Sequence, residues 1–371
     1  MNVIFTCGGT AGHVNPALAL AGYMQQKDPG TRVLFVGTPR GMERKLVERA
    51  GYPFQWVEIS GFTRSFSGEA IRHNVRAARQ VLTAPAQARK IIRAFRPDLV
   101  IGTGGYASYP VVRCAAKMGI PTAVHESNIV PGLTTKMLEK HARRIMVGFE
   151  DCRQHYRHPE KIVVTGTPVR QEFFALTRSQ ARQKLGLTDH RPLLVSFWGS
   201  LGASTMNEKM LDFFAAAAAA GQPFHHIHAV GASGWPHISR ALEEKGLMGT
   251  PGLDVREYIH DMDTVMAAAD LVLCRAGAST VSELTALGVP AILVPSPYVT
   301  NNHQEKNARL LERRGGAVVV TEPEAHGKEL YRLASELLAD TNRLQQMSVV
   351  MAALGVRDAT ERLYDTVMGL L

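Results

Sequence analysis

A chain of 371 residues, 45% apolar and 20% charged, exceeds what one hydrophobic core organises, which predicts two globular domains and excludes a disordered or fibrous chain. No run approaches the ~18 consecutive apolar residues that cross a bilayer, no charged leader precedes an apolar stretch, and Cys7, Cys114, Cys152 and Cys274 form no CxxC pair, so membrane spanning, export, a disulfide framework and a zinc site are not expected. The net charge of +9 is uneven, with 24 Lys+Arg against 11 Asp+Glu in residues 1–170 and 18 against 22 in residues 171–371, so the first half alone calls for an anionic partner: nucleic acid, an acidic substrate or an anionic membrane surface.

Short apolar or β-branched runs bounded by Gly or Pro recur at Asn2–Thr6, Arg32–Val36, Phe54–Ile59, Asp98–Ile101, Thr122–His125, Arg144–Val147 and Lys161–Thr165. They read as buried parallel strands. Helical patterns lie between them at Pro16–Lys27, Gly41–Arg49, Ile71–Arg96 with an interruption at Pro85, and Ser108–Lys117. This alternation predicts a doubly wound sheet over residues 1–165. A second series, Leu193–Phe197, His225–Val230, Asp254–Tyr258, Leu271–Cys274, Ala291–Val294 and Ala317–Val320, predicts a second such domain over 166–371. The polar stretch Thr177 to Arg191 reads as the linker, and Pro323 to Leu371 as a final helix packing back on the first domain.

The first strand ends in Gly8-Gly9-Thr10-Ala11-Gly12-His13, where glycines let backbone amides approach an anion at a helix start; a tight turn without ligand fits the same residues. The second strand ends in Val36-Gly37-Thr38, with no acidic residue to hold a ribose, which removes the main support for a dinucleotide-dependent dehydrogenase. His13 is either a proton acceptor at the mouth of a cleft or a surface histidine. Phe197-Trp198-Gly199-Ser200-Leu201-Gly202-Ala203 repeats the glycine device in the second half, and two such loops imply a cleft between domains. In Arg275-Ala276-Gly277-Ala278-Ser279-Thr280-Val281-Ser282-Glu283 a strand feeds a turn and a hydroxyl-rich helix start suited to a diphosphate. There Glu283 either accepts from ribose hydroxyls or closes a capping box with Thr280. Asp261-Met262-Asp263 has the spacing of a metal-binding Asp pair but precedes a helical run, where Asp is a cap and first-turn residue, so no metal is expected there. Asn301 to Asn307, with His303 and Gln304, offers amides to sugar hydroxyls or forms an ordinary Asn-rich turn.

Taken together, Gly8 to His13, Gly102-Thr103-Gly104-Gly105-Tyr106, His125-Glu126-Ser127-Asn128, Gly166 to Arg170, Gly199 to Ala203, Arg275 to Glu283 and Ser296 to Asn307 resemble the MurG family over nearly the whole chain. That family moves N-acetylglucosamine (GlcNAc) from its UDP ester to undecaprenyl-pyrophosphoryl-MurNAc-pentapeptide, converting lipid I to lipid II in peptidoglycan synthesis. The resemblance implies an α/β GT-B fold of two Rossmann-like doubly wound domains, UDP-GlcNAc on the second and lipid I on the first. It implies donor contacts at Thr10, Ala11, Gly12, Asn128, Arg170, Ser200, Ile259, Ala278, Ser279, Thr280, Val281, Ser282, Glu283 and Gln304, and acceptor contacts at Gly104, Gly105 and Tyr106. His13 matches the candidate base and Glu126 a second acidic candidate, for inverting attack by the MurNAc 4-hydroxyl without an essential metal or cofactor.

Four features depart from the family's pattern: Ala11 for Gly, Ser127 for Gln, Thr167 for Asn, and Trp198 with Leu201 in the second loop. Between Phe62 and Pro97, Arg64, Arg72, Arg76, Arg79, Arg89, Lys90, Arg93 and Arg96 interleave with Phe66, Ile71, Val75, Val81, Leu82, Ile91, Ile92 and Phe95. The pattern suits peripheral docking on an anionic cytoplasmic membrane face, with no nucleic acid expected, and equally a core helix with a solvated basic face. Rival readings are a UDP-GlcNAc 2-epimerase of the same architecture and a GT-B transferase for another lipid.

Overall fold

The structure is a computed structural model that describes residues 1–61, 67–199 and 202–371. By compactness the chain divides into one unit of Met1–Pro168 with Val356–Leu371 and another of Val169–Gly355.

The first unit runs β1 (Asn2–Thr6), α1 (Ala11–Lys27), β2 (Arg32–Gly37), α2 (Met42–Arg49), β3 (Phe54–Trp56), α3 (Gly68–Phe95), β4 (Leu99–Gly102), α4 (Ser108–Lys117), β5 (Thr122–Glu126), α5 (Leu133–Leu138), β6 (Arg144–Val147) and β7 (Ile162–Val164). Its parallel sheet has the order β3-β2-β1-β4-β5-β6-β7. Val3 sits in register with Val33 on one side and Leu99 on the other. Helices cover both faces, so β1 reads apolar without alternation; Val3, Phe5, Phe35 and Ile101 are fully buried.

The second unit runs α6 (Arg178–Lys184), β8 (Leu193–Phe197), α7 (Ser204–Ala219), β9 (His225–Ala229), α8 (Trp235–Glu244), β10 (Leu253–Arg256), α9 (Met262–Ala268), β11 (Leu271–Cys274), α10 (Ala278–Leu287), β12 (Ala291–Leu293), α11 (His303–Arg314), β13 (Ala317–Val319), α12 (Gly327–Ala339) and α13 (Thr341–Leu354). Its parallel sheet has the order β10-β9-β8-β11-β12-β13. Phe213, Phe214 and Phe224 fill the core beside Leu271 and Leu273.

Several boundaries differ from expectation for local reasons. The stretch 177–191 is not a bare linker: Thr177 and Gln180 form a reciprocal capping box that starts α6, and the unit boundary falls at 168/169. Pro85 does not break α3, which runs on to a left-handed Arg96. The residues after Pro323 form three helices; only the last, α14 (Ala359–Met368), belongs to the first unit, where Leu363 and Val367 enter the core.

Candidate active site

In the first unit the strand order reverses between β1 and β4, so the loops leaving their C-terminal ends lie side by side. Thr103 ties them together, its amide donating to the Thr6 carbonyl at 2.9 Å and its hydroxyl to the His13 carbonyl at 2.6 Å. Gly104 and Gly105 have φ of +109° and +82°. A Cβ on Gly105 would stand 2.2 Å from the Gly8 carbonyl oxygen, and one on Gly104 2.6 Å from His13 Cδ2 and 2.9 Å from its Nε2. Only glycine admits this approach, and it lets the face of the His13 ring lie against Gly104.

His13 Nδ1 lies 2.7 Å from the Gly8 carbonyl oxygen, with the Thr10 hydroxyl at 3.5 Å. A carbonyl only accepts, so Nδ1 carries the proton and the neutral ring keeps its lone pair on Nε2. The loop is a narrower anion cradle than its glycines suggest. The Gly9 amide donates to Glu43 Oε2 at 3.2 Å and the His13 amide to the Thr10 carbonyl, which leaves Ala11 and Gly12 as the first-turn donors of α1 without an intrahelical acceptor. Ala11 is helical and has no positive φ, so its Cβ adds no strain where the family usually has Gly.

Glu126 takes a different place from the one its resemblance implied. Its Oε1 accepts from the amide and Nδ2 of Asn128, each at 3.0 Å, and its Oε2 from the Gly132 amide at 2.9 Å and the Thr135 hydroxyl at 2.8 Å. Both oxygens of this buried carboxylate are committed to the turn after β5, so it anchors Asn128 and is not poised to take a substrate proton. His125 beside it donates Nε2–H to the Gly166 carbonyl at 3.1 Å, and burial holds the ring below the usual histidine range, in the neutral form. Tyr106 is half exposed, its ring packed on Gly61.

In the second unit the reversal lies between β8 and β11, and α10 starts just beyond β11. Its cap is Gly277 with no side-chain cap bond, so Thr280 and Glu283 do not form the capping box. The amides of Ala278, Ser279 and Thr280 occupy the first turn, where the helix dipole favours an anion. Val281 and Ser282 do not fit the expected donor contacts: the Val281 amide bonds the Gly277 carbonyl and its side chain is buried, and the Ser282 hydroxyl donates back to the Ala278 carbonyl at 2.9 Å.

Glu283 is half-buried, and burial pushes its carboxyl up to about 7 against the opposing pull of the Arg170 guanidinium. Among the described residues no hydrogen bond or ion pair engages that carboxyl, so both oxygens remain as acceptors for a ligand. Arg170 is exposed and braced on the Phe173 ring at 4.8 Å. Gln304 Oε1 accepts from the Ser296 amide at 2.8 Å, which fixes its amide orientation and leaves Nε2 as the donor. It follows Asn301 and Asn302, both left-handed at φ of 56° and 50°, a strained entry to α11. The Ile259 side chain is buried, so only its backbone is offered to a ligand. Asp261 pairs with Arg256 at 2.8 Å and Asp263 sits in the first turn of α9. Ser200 and Leu201 lie outside the described residues.

Two groupings escaped the sequence reading. Half-buried Arg275 donates to the Val294 carbonyl at 3.0 Å, pairs with buried Glu322 at 2.6 Å and lies over the Trp198 ring at 5.7 Å, bracing the loops after β8 and β11. Ser196 Oγ lies 2.7 Å from His226 Nε2 and 2.6 Å from His228 Nδ1 in the core; the remaining ring nitrogen of each imidazole has no partner among the described residues. The alternation His225-His226-Ile227-His228 was the signal for this cluster, since it places two imidazoles on one face of β9.

On α3, Ile71, Val75, Val81 and Leu82 are exposed at 56%, 67%, 42% and 81%, and Ile91 and Ile92 are core. Phe62, Arg64 and Phe66 lie outside the described residues. Arg89, Lys90, Arg93, Arg113 and Lys117 line a groove of about 770 Å³ between α3 and α4. No helix among the described residues is long and apolar enough to cross a membrane.

Residues 3–147 match the glycosyltransferase family 28 N-terminal domain and residues 193–363 its C-terminal domain. A relative from Acetivibrio thermocellus is 43% identical over 371 residues, covering 100% of this chain and 98% of its own length; it is named UDP-N-acetylglucosamine–N-acetylmuramyl-(pentapeptide) pyrophosphoryl-undecaprenol N-acetylglucosamine transferase. A relative of the same name from Bacillus licheniformis is 37% identical over 370 residues, covering 100% of this chain and 99% of its own length. The crystal structure of Acinetobacter baumannii MurG superposes with a TM-score of 0.78 at 28% identity, covering 99% of each chain. A UDP-GlcNAc 2-epimerase from Neisseria meningitidis shares the fold alone, with a TM-score of 0.66 at 13% identity over 100% of each chain. The two matched domains and the full-length relatives establish that the chain belongs to glycosyltransferase family 28, with the two-domain GT-B fold.

Proposed function

We propose that this glycosyltransferase moves GlcNAc from UDP-GlcNAc to the 4-hydroxyl of MurNAc in undecaprenyl-pyrophosphoryl-MurNAc-pentapeptide, with inversion. The observation that carries the mechanism is the His13 tautomer, with Nδ1–H held by the Gly8 carbonyl, which leaves the lone pair on Nε2. In the step, Nε2 takes the hydroxyl proton as the hydroxyl oxygen bonds to the anomeric carbon, and the bond from that carbon to the diphosphate breaks with its electron pair. The departing charge falls to the first-turn amides and hydroxyls of Ser279 and Thr280, supported by Arg170, a donor set that serves a diphosphate without an essential metal. The two unengaged oxygens of Glu283 suit adjacent ribose hydroxyls, the Ile259 backbone the uracil, and Gln304 Nε2 with Asn128 the sugar. Gly104, Gly105 and Tyr106 border the acceptor.

The exposed apolar residues of α3, with the cationic groove beside them, support docking on an anionic cytoplasmic membrane face, where each nearby Lys or Arg contributes about 1 kcal/mol. The test is transfer of radiolabelled GlcNAc from UDP-GlcNAc to a lipid I analogue with EDTA present, in wild type, His13→Ala and Glu283→Ala. Labelled disaccharide lipid from wild type, lost in both variants, is expected. Conversion to UDP-ManNAc without transfer would instead make the chain an epimerase, and loss of wild-type transfer in EDTA would reverse the metal-free reading.

A further inference from the structure

Glu43 is a carboxylate that neither the donor nor the acceptor contacts use. It lies in the first turn of α2, fully buried, and the backbone is shaped around it. A Cβ on Gly41 would stand 1.9 Å from Oε2, and one on Gly37 2.7 Å from Cγ, so both glycines clear space for this side chain. Its Oε1 accepts from the Thr38 amide at 2.8 Å and the Thr38 hydroxyl at 2.5 Å, and its Oε2 from the Gly9 amide at 3.2 Å. Every one of these bonds is accepted and none donated, the pattern of the anion.

The Gly9 N–H and the Gly8 carbonyl belong to one peptide group, and that carbonyl is the acceptor for His13 Nδ1–H at 2.7 Å. A carboxylate on the N–H side of a peptide polarises it, which makes the oxygen on the other side a stronger acceptor. We infer that Glu43 is a positioning residue that acts on His13 through the Gly8–Gly9 peptide, fixing the tautomer with the lone pair on Nε2 and stabilising the imidazolium formed when that nitrogen takes the hydroxyl proton. The arrangement has the logic of an acid–imidazole pair with a peptide interposed. No proton crosses the peptide: Nδ1 keeps its own, Glu43 keeps its charge, and only Nε2 gains a proton in the step. Of the other titratable groups of this wall, Glu126 is a carboxylate with both oxygens committed to the turn after β5. Burial first, and Glu43 second, push the Cys7 thiol up, and burial holds His125 below the usual range. The inference rests on His13 as the base.

The test is the pH dependence of kcat in the full chain with UDP-GlcNAc and a lipid I analogue. For Glu43→Gln, kcat is expected to fall about 10- to 100-fold with both KM values within about twofold, and the ascending limb to move to lower pH, because the imidazolium has lost its stabilising charge. Thr38→Val, which removes one bond to the carboxylate and keeps its charge, should leave the limb in place. A purely structural Glu43 would lower Tm and kcat with the limb unmoved, and that result overturns the relay. His13→Gln separates the two layers: turnover retained there removes the base itself, whereas turnover lost there with an unmoved limb in Glu43→Gln removes only the relay. If Glu43→Gln does not fold, NMR of the wild type decides, since the Gly9 amide proton must titrate with the midpoint of the His13 ring, and an independent midpoint refutes the coupling.

Discussion

The buried histidine pair should make the second unit acid-sensitive in a calculable way. His228 is fully buried, and desolvation pushes its imidazolium down to about 3 from an unfolded value of 6.5; burial, then the neighbouring His228, pushes His226 well below its usual range in the same direction. The sign follows from linkage. The folded state holds the rings neutral and the unfolded state protonates them below 6.5, so their contribution is complete above that pH and is lost as pH falls from 6.5 toward 3. At pH 5, 1.5 units below the unfolded value, His228 alone costs about 2 kcal/mol, since each pH unit in this window is worth roughly 1.4 kcal/mol per proton, and His226 adds to it. Urea unfolding at a series of pH values between 7.5 and 5 measures the effect, with near-ultraviolet dichroism of Trp198, 6.5 Å from the His228 ring, as a local probe. Replacing His228 with Leu removes the titration at similar volume, so the stability lost between pH 7 and pH 5 should shrink by about 2 kcal/mol whatever the variant's absolute stability. An unchanged pH slope in His228→Leu would refute the reasoning.

Three further outcomes are expected. Because burial pushes Glu283 up to about 7 and only its ionised form accepts from two ribose hydroxyls, KM for UDP-GlcNAc should rise about tenfold per pH unit below 7, and Glu283→Gln should flatten that dependence while raising KM throughout. Gly104→Ala, whose Cβ would stand 2.6 Å from His13 Cδ2 at a φ of +109°, should displace the ring and cut kcat about 100-fold with folding retained; wild-type turnover would mean that the ring does not work from this position. Arg275→Met leaves Glu322 buried without its cation and should cost about 3–5 kcal/mol in urea unfolding, and the double variant with Glu322→Leu should recover most of that loss.

The strands were legible because parallel strands covered on both faces are continuous apolar runs cut by Gly and Pro, as at Val3-Ile4-Phe5 and Leu271-Val272-Leu273. The glycine loops were legible as loops, but their use was not. Whether an amide is free depends on partners far along the chain: Gly9 is engaged by a carboxylate 34 residues away, and nothing in Gly8 to His13 announces it. Glu126 was misplaced for a similar reason, since its partners at Asn128, Gly132 and Thr135 converge only once the turn after β5 is folded. Pro85 looked like a break because a proline removes one helical hydrogen bond; packing of Ala77, Ala84, Ala88 and Ile92 into the core outweighs that loss.

The placement of α14 has a consequence for how the molecule is made. Leu363 and Val367 complete the core of a unit whose remaining elements end at Pro168, so the half synthesised first waits for a helix synthesised after the whole of the other half. At ~5–20 residues per second that delay is roughly 10–40 s, during which Leu20, Met24 and Met146 stay partly uncovered on the ribosome and the nascent N-terminal half is a natural client for a chaperone.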